Sequence, residues 1–161
     1  MPIDPTQVSL RPITADTVRD VIRLAVSQNQ EHLVAPNAVS LAQALFAPEA
    51  WYRAIYFNEE PAGFVMLYDE SLRVPTPPAP EVALWRFMID AKYQRRGIGG
   101  AALAQVIEHV RAKELFASLT VSYVPGPGCP EMFYLGHGFL ATGKVDGGEL
   151  VLELPFCRSA A

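Results

Sequence analysis

The sequence predicts one α/β domain of the α+β kind, in which a mixed sheet of about seven strands is flanked by about four helices. Its 161 residues are the length of a single domain, which we place at residues 1–161. Half of the residues are hydrophobic and 19% are charged, so the chain can bury a core of its own. The predicted elements follow the order β-α-α-β-β-β-α-β-α-β-β, which favours helices packed on both faces of one sheet.

The N-terminal half is predicted to supply three strands and two helices. Three segments have strand composition: 8–13, 51–57 and 62–68. Thr14 can cap a first helix, because apolar residues recur after it with a helical period. Ser40 opens a second, shorter helix, and Pro48 ends it.

The C-terminal half is predicted to supply four strands and two helices. The strands are predicted at 81–89, 118–124, 139–144 and 149–154. Residues 98–115 have an apolar face opposite a polar one and predict a long helix, and a short helix follows at 131–135. A segment rich in proline precedes the first of these strands. It cannot lie in a helix or in the interior of a sheet, because it contains Pro75, Pro77, Pro78 and Pro80.

Composition excludes several classes of function. The net charge of -4 and the lack of a basic stripe argue against a nucleic-acid partner. Cys129, Cys157 and the three histidines show no metal-ligand spacing, so we predict no metal and free thiols in a reducing cytosol. No apolar run reaches about eighteen residues, and residues 1–11 lack a signal-peptide pattern. We therefore expect a cytoplasmic protein that binds no membrane.

The stretch that is most informative about chemistry is Gln94-Arg95-Arg96-Gly97-Ile98-Gly99-Gly100, which follows a predicted strand and opens a predicted helix. Glycines let the main chain approach a ligand closely. The first turn of a helix has free N–H groups and a partial positive charge, so it binds anions such as phosphate. Arg95 and Arg96 add positive charge at the entrance. The alternative is a flexible loop that only caps the helix.

Three phosphate-binding motifs can be compared with this stretch. The Rossmann pattern G-x-G-x-x-A matches residues 97–102, but the connection before it is too long and strand 118–124 carries no carboxylate. The P-loop is excluded because no G-K-[S/T] follows. The third motif, Q/R-x-x-G-x-G/A, cradles the pyrophosphate of coenzyme A. It fits residues 94–99 at every defined position.

Most of the chain resembles the GCN5-related N-acetyltransferase (GNAT) superfamily. Residues 84–90 resemble the family's fourth strand, 94–99 its cofactor signature, and 133–139 its [L/F]-Y-x-x-x-G-F ending. These segments occur in the family's order and spacing, and the N-terminal elements fit as well. Residues 26–30 and 86–90 are also similar, more weakly, to bacterial spermine/spermidine and diamine acetyltransferases.

The resemblance implies a mostly antiparallel, twisted sheet in which acetyl-CoA lies between splayed fourth and fifth strands. Main-chain groups of Phe87, Met88 and Ile89 would pair with the pantetheine arm, and the Met88 amide would polarise the thioester carbonyl. The cofactor signature would hold the pyrophosphate through Gln94, Arg95, Arg96, Gly97, Ile98, Gly99 and Gly100. The acceptor amine would attack the thioester directly, so no covalent enzyme intermediate and no metal are implied.

Tyr134 stands at the position of the family's general acid. A phenol with a pKa of about 10 is protonated at pH 7 and can donate to a departing thiolate. The alternative is a tyrosine that only packs beside Phe133 and Phe139. Pro127 stands where many members have an asparagine that contacts the cofactor, so that contact is not carried over.

The general base stays open. Glu81 lies about seven residues before Met88, which is more than about 20 Å along a strand. It is therefore too far away to act directly. Either the amine arrives neutral, or water relays its proton.

The acceptor site is expected near loop 27–37, the strand start at Trp51 and Tyr52, and the fourth strand. We predict the substrate-binding residues to be Glu31, His32, Trp85 and Arg86. The first two are well placed to meet a cation, although an exposed loop pair is the alternative. Arg86 either orients an acceptor carboxylate or lies at the polar end of the sheet.

The resulting functional prediction is an acetyl-CoA-dependent N-acetyltransferase for a small primary amine, such as a polyamine or diamine. One alternative is acetylation of a protein N-terminus or lysine. A second alternative is a non-catalytic sensor that binds acyl-CoA. Because relatives are often dimers, the resemblance also implies a possible homodimer.

Overall fold

A computed structural model describes residues 2–157, and within that range seven strands form a single sheet with helices on both faces. The strands are β1 (Val8–Arg11), β2 (Ala50–Phe57), β3 (Glu60–Asp69), β4 (Val82–Ile89), β5 (Ser118–Tyr123), β6 (Leu140–Asp146) and β7 (Glu149–Pro155). The helices are α1 (Val18–Arg23), α2 (Asn37–Ala44), α3 (Ile98–Ala112) and α4 (Glu131–Leu135). The predicted fold class and element order are confirmed.

The sheet is antiparallel except between β4 and β5, and its strand order is β1-β2-β3-β4-β5-β7-β6. The parallel pair is short, because only Val82–Leu84 on β4 and Leu119–Val121 on β5 are in register. Within residues 2–157, the rest of β4 has β3 on one side and no paired strand on the other. The predicted splaying of the fourth and fifth strands is therefore confirmed, and it opens a gap in the middle of the sheet.

Each face of the sheet has its own hydrophobic core. On one face α3 buries Leu103, Val106 and Val110 against the sheet, and α4 adds Tyr134 to the same cluster. On the other face α1 and α2 cover a smaller cluster around Phe64. Because neighbouring side chains on a strand point to opposite faces, a residue's place along its strand decides which core it joins.

Three helices differ in extent from the prediction. Helix α1 begins at Val18, with Thr17 rather than Thr14 at the N-cap position. Helix α2 begins at Asn37 rather than at Ser40, because the buried Asn37 side chain donates to the Val21 carbonyl oxygen (2.9 Å) and fixes the helix start against α1. Helix α3 ends at Ala112 rather than at residue 115, since Glu114 takes a left-handed conformation (φ 55°) that a helix does not tolerate. Within residues 2–157, no helix has the length and apolar character needed to cross a bilayer.

Candidate active site

A continuous cleft of about 1190 Å³ passes through the sheet where β4 and β5 diverge. At one end it reaches the first turn of α3, where Gly97, Gly99 and Gly100 line it. At the other end it is bordered by loop residues Glu31 to Pro36, on the face that α1 and α2 cover. The cleft therefore joins the predicted phosphate site to the predicted acceptor site.

The strand register decides which main-chain groups of β4 face this cleft. The Asp90 N–H donates to the Ala62 carbonyl (2.8 Å), and the pairing continues in register to Met88 opposite Phe64. In an antiparallel pair, alternate residues exchange hydrogen bonds with the partner strand. The peptide groups of Met88 are therefore directed to β3, and those of Phe87 and Ile89 are directed to the cleft.

The Met88 amide was predicted to polarise the thioester carbonyl of acetyl-CoA. This register corrects that prediction, because the amide is directed to β3 and away from the cleft. A Cβ added at Gly63 on β3 would collide with the Met88 carbonyl oxygen, so that oxygen also lies against β3. Trp85 forms a bulge in the pairing of β3 with β4. The register therefore depends on contacts between strands, and no local pattern in the sequence around Met88 reveals it.

The start of α3 leaves main-chain donors free. Gly97 precedes the helix with a left-handed conformation (φ 87°), which glycine adopts without strain. The first helical hydrogen bond runs from the Ala101 N–H to the Gly97 carbonyl (3.2 Å). The amides of Ile98, Gly99 and Gly100 come before it and have no partner within the helix. A side chain at Gly99 would approach Ile89 (3.5 Å) and the Phe133 ring (3.7 Å), so glycine keeps this part of the cleft open.

The side chains of the signature have different surroundings. Gln94 donates to the Gln30 side chain (2.8 Å) and to the Ile89 carbonyl (2.9 Å), so it ties the loop before α2 to the end of β4. Arg95 lines the cleft. Arg96 instead stacks over Phe57, 4.7 Å from the ring centre, and Ile98 is buried in the core. For these last two residues, only the main chain is available to the predicted phosphate site.

Tyr134 lines the cleft from α4 and is 5% exposed. Its ring packs edge-on against Phe133 (5.3 Å between centres) and Phe139 (5.5 Å). Burial raises the pKa of the Tyr134 hydroxyl, so the neutral, proton-carrying form is favoured. Packing and access to the cleft are thus both present, and the role of Tyr134 as an acid stays a prediction.

On the acceptor side, the four predicted substrate-binding residues all line the cleft: Glu31, His32, Trp85 and Arg86. Their contact with an acceptor stays a prediction. Neither Trp51 nor Tyr52 lines the cleft, although Tyr52 packs against the cluster under α1 and α2 on the acceptor face. The expectation is wrong for Trp51. Trp51 stacks on His109 of α3, with ring centres 4.2 Å apart, and so lies on the opposite face of the sheet.

Among the polar residues that line the cleft and that the sequence did not reveal, three lie close together in the sheet. They are Ser122 at the end of β5, and Asp146 and Glu149 beside the turn between β6 and β7. The Ser122 hydroxyl donates to a Glu149 carboxylate oxygen (2.5 Å). The residues of this pair are 27 positions apart in the chain, so only the pairing of β5 with β7 brings them together. In the part of the chain from 2 to 157, no group of three or more His, Cys, Asp or Glu could hold a metal ion.

Comparison with known proteins identifies the family. The model of the acetyltransferase (GNAT) family matches residues 18–124, which is more than half of the chain. The chain belongs to this family. Its cleft lies between the fourth and fifth strands of the GNAT domain, and the matched segment includes both of these strands and the start of α3.

Relatives of this GNAT chain have been characterised or solved. It is 26% identical over 155 residues to the spermine/spermidine N(1)-acetyltransferase of Bacillus subtilis, covering 90% of this chain and 96% of that protein. An acetyltransferase structure from Thermus thermophilus shares 19% identity at a TM-score of 0.69, covering 93% and 97% of the two chains. The PaiA N-acetyltransferase of Thermoplasma acidophilum, solved with coenzyme A, shares 12% identity at a TM-score of 0.68, covering 92% and 99%.

Proposed function

We propose that this GNAT domain transfers the acetyl group of acetyl-CoA to a primary amine of a small molecule. The observation that carries the proposal is the cleft between β4 and β5, which connects the free amides at the start of α3 to a separate polar site on the other face of the sheet. The Bacillus subtilis relative is named a spermine/spermidine acetyltransferase, so polyamines and diamines are the first acceptors to test.

The residues at the cleft fit acetyl-CoA in two places. The amides of Ile98, Gly99 and Gly100 would donate to the pyrophosphate, and the Arg95 guanidinium would add positive charge. Along β4, the cleft-facing peptide groups of Phe87 would pair with the pantetheine arm as a strand does. The Ile89 N–H would do the same, while the Ile89 carbonyl already accepts from Gln94.

When bound, acetyl-CoA supplies an acyl group activated as a thioester. In this proposal the Phe87 N–H donates to the thioester carbonyl and stabilises the negative charge that develops there. Tyr134 donates its phenolic proton to the departing sulfur, and it recovers a proton from solvent. The carbon–nitrogen bond forms as the carbon–sulfur bond breaks, and the extra proton on the nitrogen passes to solvent water. The chain needs no nucleophile of its own for this transfer.

The test is a spectrophotometric assay of free thiol with acetyl-CoA and amines of differing charge and length. The proposal predicts release of coenzyme A that depends on the amine, together with the acetylated amine by mass spectrometry. If acetyl-CoA binds but no amine, including a peptide N-terminus or lysine, is acetylated, the chain is a sensor and the proposal fails. Release that occurs only with peptides would instead favour the protein acetyltransferase.

The sequence also predicts that the protein forms a homodimer and that it is located in the cytoplasm, and both of these remain predictions. Light scattering coupled to size-exclusion chromatography measures the mass in solution and tests the first. A mass near 17.6 kDa would show a monomer and would contradict that prediction. A tagged copy that localises to the cytosol would support the second.

A further inference from the structure

Two opposite charges face the acceptor end of the cleft without pairing with each other. Arg86 on β4 and Glu149 on β7 both line it, and among residues 2–157 neither is the other's hydrogen-bonding or salt-bridge partner. Each is held instead by its own neighbours. The space between them therefore keeps one fixed positive and one fixed negative group.

Strand alternation places both groups on the face opposite α3. On β7, Leu150, Leu152 and Leu154 belong to the core under α3, so Glu149 points to the other face. On β4, Arg86 is two residues before Met88, whose side chain belongs to the cluster under α1 and α2. Both charges therefore lie on the side from which an acceptor would approach a thioester held along β4.

The Arg86 guanidinium makes hydrogen bonds to the described part of the protein with only some of its N–H donors, so it is suited to bind a ligand. Its terminal nitrogens donate to the Trp85 carbonyl (3.0 Å) and to the Gln43 side chain (3.1 Å), which fixes the guanidinium in the cleft wall. Its Nε is buried and has no partner among the described residues. Burial lowers the pKa of Arg86, and nearby Glu149 opposes that effect, so the guanidinium lacks the full stabilisation that an adjacent anion would provide.

Glu149 is positioned as the opposing anion. The Ser122 hydroxyl donates to one of its oxygens (2.5 Å), which orients the carboxylate across the end of β5. Asp146 and Glu31 line the same cleft and add to the negative potential that a cation would meet there. A second ammonium group on the acceptor would be repelled by Arg86, whereas a carboxylate would be attracted to it.

We propose that the acceptor is an amine that also carries a carboxylate, with its amino group held at Glu149 and its carboxylate at Arg86. This inference rests on the proposed acetyl transfer and narrows its substrate class from amines in general to amino acids and similar amino carboxylates. A half-buried arginine can bind a carboxylate through strong, charge-assisted hydrogen bonds. Replacing Arg86 should therefore change the choice of acceptor, whereas replacing Glu149 should weaken the binding of every acceptor that carries an amine.

The experiment compares sets of acceptors that have the same chain length: a monoamine, a diamine and an amino carboxylate, such as butylamine, 1,4-diaminobutane and 4-aminobutanoate. Shorter and longer sets cover other separations of the two charges. For at least one length, we expect kcat/KM for the amino carboxylate to exceed both others at least tenfold. Arg86→Gln should remove that preference, lowering kcat/KM for the amino carboxylate about tenfold or more while the monoamine changes less than threefold.

Arg53→Gln is the matched control. Arg53 is also a half-buried strand arginine that donates to the carbonyl of the preceding residue (2.7 Å), but it does not line the cleft. The Arg53→Gln variant should leave the preference for the amino carboxylate unchanged. Glu149→Gln should weaken all three acceptors, because each carries an amine. Circular dichroism confirms that each variant is folded.

The possible failures can be told apart. A diamine that is preferred at every length, or Arg86→Gln and Arg53→Gln variants that behave alike, would overturn the inference and leave acetyl transfer standing. Binding of acetyl-CoA without acetylation of any amine would overturn the proposed function, and the inference would fall with it.

Discussion

Tyr134 is the side chain on which the proposed chemistry depends most. It reaches the cleft from α4, its ring is fixed between Phe133 and Phe139, and burial raises the pKa of its hydroxyl. Tyr134→Phe keeps the ring packing and removes only the acidic proton. We expect kcat to fall about 10²-fold or more, while the Kd of acetyl-CoA changes less than threefold. Steady-state kinetics and calorimetric titration measure these two quantities, and an unchanged kcat would remove Tyr134 from the mechanism.

The direction of the Tyr134 pKa shift also predicts the pH dependence. The proton-carrying form is the active acid, and a raised pKa keeps that form populated above the ordinary phenol value of about 10. Deprotonation of Tyr134 should therefore cause no loss of kcat as the pH rises from 6 to 9.5. The pH–rate profiles of the wild type and Tyr134→Phe measure this. A loss of activity at alkaline pH that occurs only in the wild type would contradict it.

At the scale of an element, the first turn of α3 is the proposed phosphate site. Gly99→Glu would place a side chain beside Ile89 and the Phe133 ring and bring a negative charge close to the pyrophosphate. We expect the Kd of acetyl-CoA to rise at least about 100-fold. Ala104→Glu is the matched control, since it adds the same charge at an exposed position on the same helix. Its Kd should stay within about threefold of the wild type, and equal effects of both variants would contradict the placement.

The elements also show what could be predicted from the sequence. The start of α3 and the helix carrying Tyr134 were predicted because each rests on a short, contiguous pattern. The direction of the Met88 amide was not, because it depends on the bulge at Trp85 and on the register with β3. Ser122 and Glu149 were missed for a similar reason, since the pairing of β5 with β7 brings them together.

For the whole molecule, the sheet and the end of α3 are joined by an ion pair whose carboxylate is buried. Asp69 at the end of β3 is 1% exposed and accepts from Lys113, just after the end of α3 (2.5 Å), and from the Ser71 hydroxyl (2.6 Å). Lys113→Met leaves that carboxylate buried without its cation. We expect the free energy of unfolding at pH 7 to fall by about 3 kcal/mol.

Urea denaturation measures this change. The control is Lys144→Met, which removes an exposed lysine from β6 and should cost less than about 0.5 kcal/mol. If both variants have the same midpoint and slope, the pair does not hold α3 to the sheet. Activity measured on the folded fraction of Lys113→Met should stay close to that of the wild type, because Lys113 does not line the cleft.

The central claim is that one thioester spans the gap in the sheet, with its diphosphate on the main chain of α3 and its carbonyl beside β4. The most direct measurement is a crystal structure grown with saturating acetyl-CoA. The account predicts diphosphate oxygens about 3 Å from the amides of Ile98, Gly99 and Gly100, and the thioester carbonyl next to the Phe87 N–H. A diphosphate bound elsewhere, or a cleft that stays empty at saturation, would contradict it.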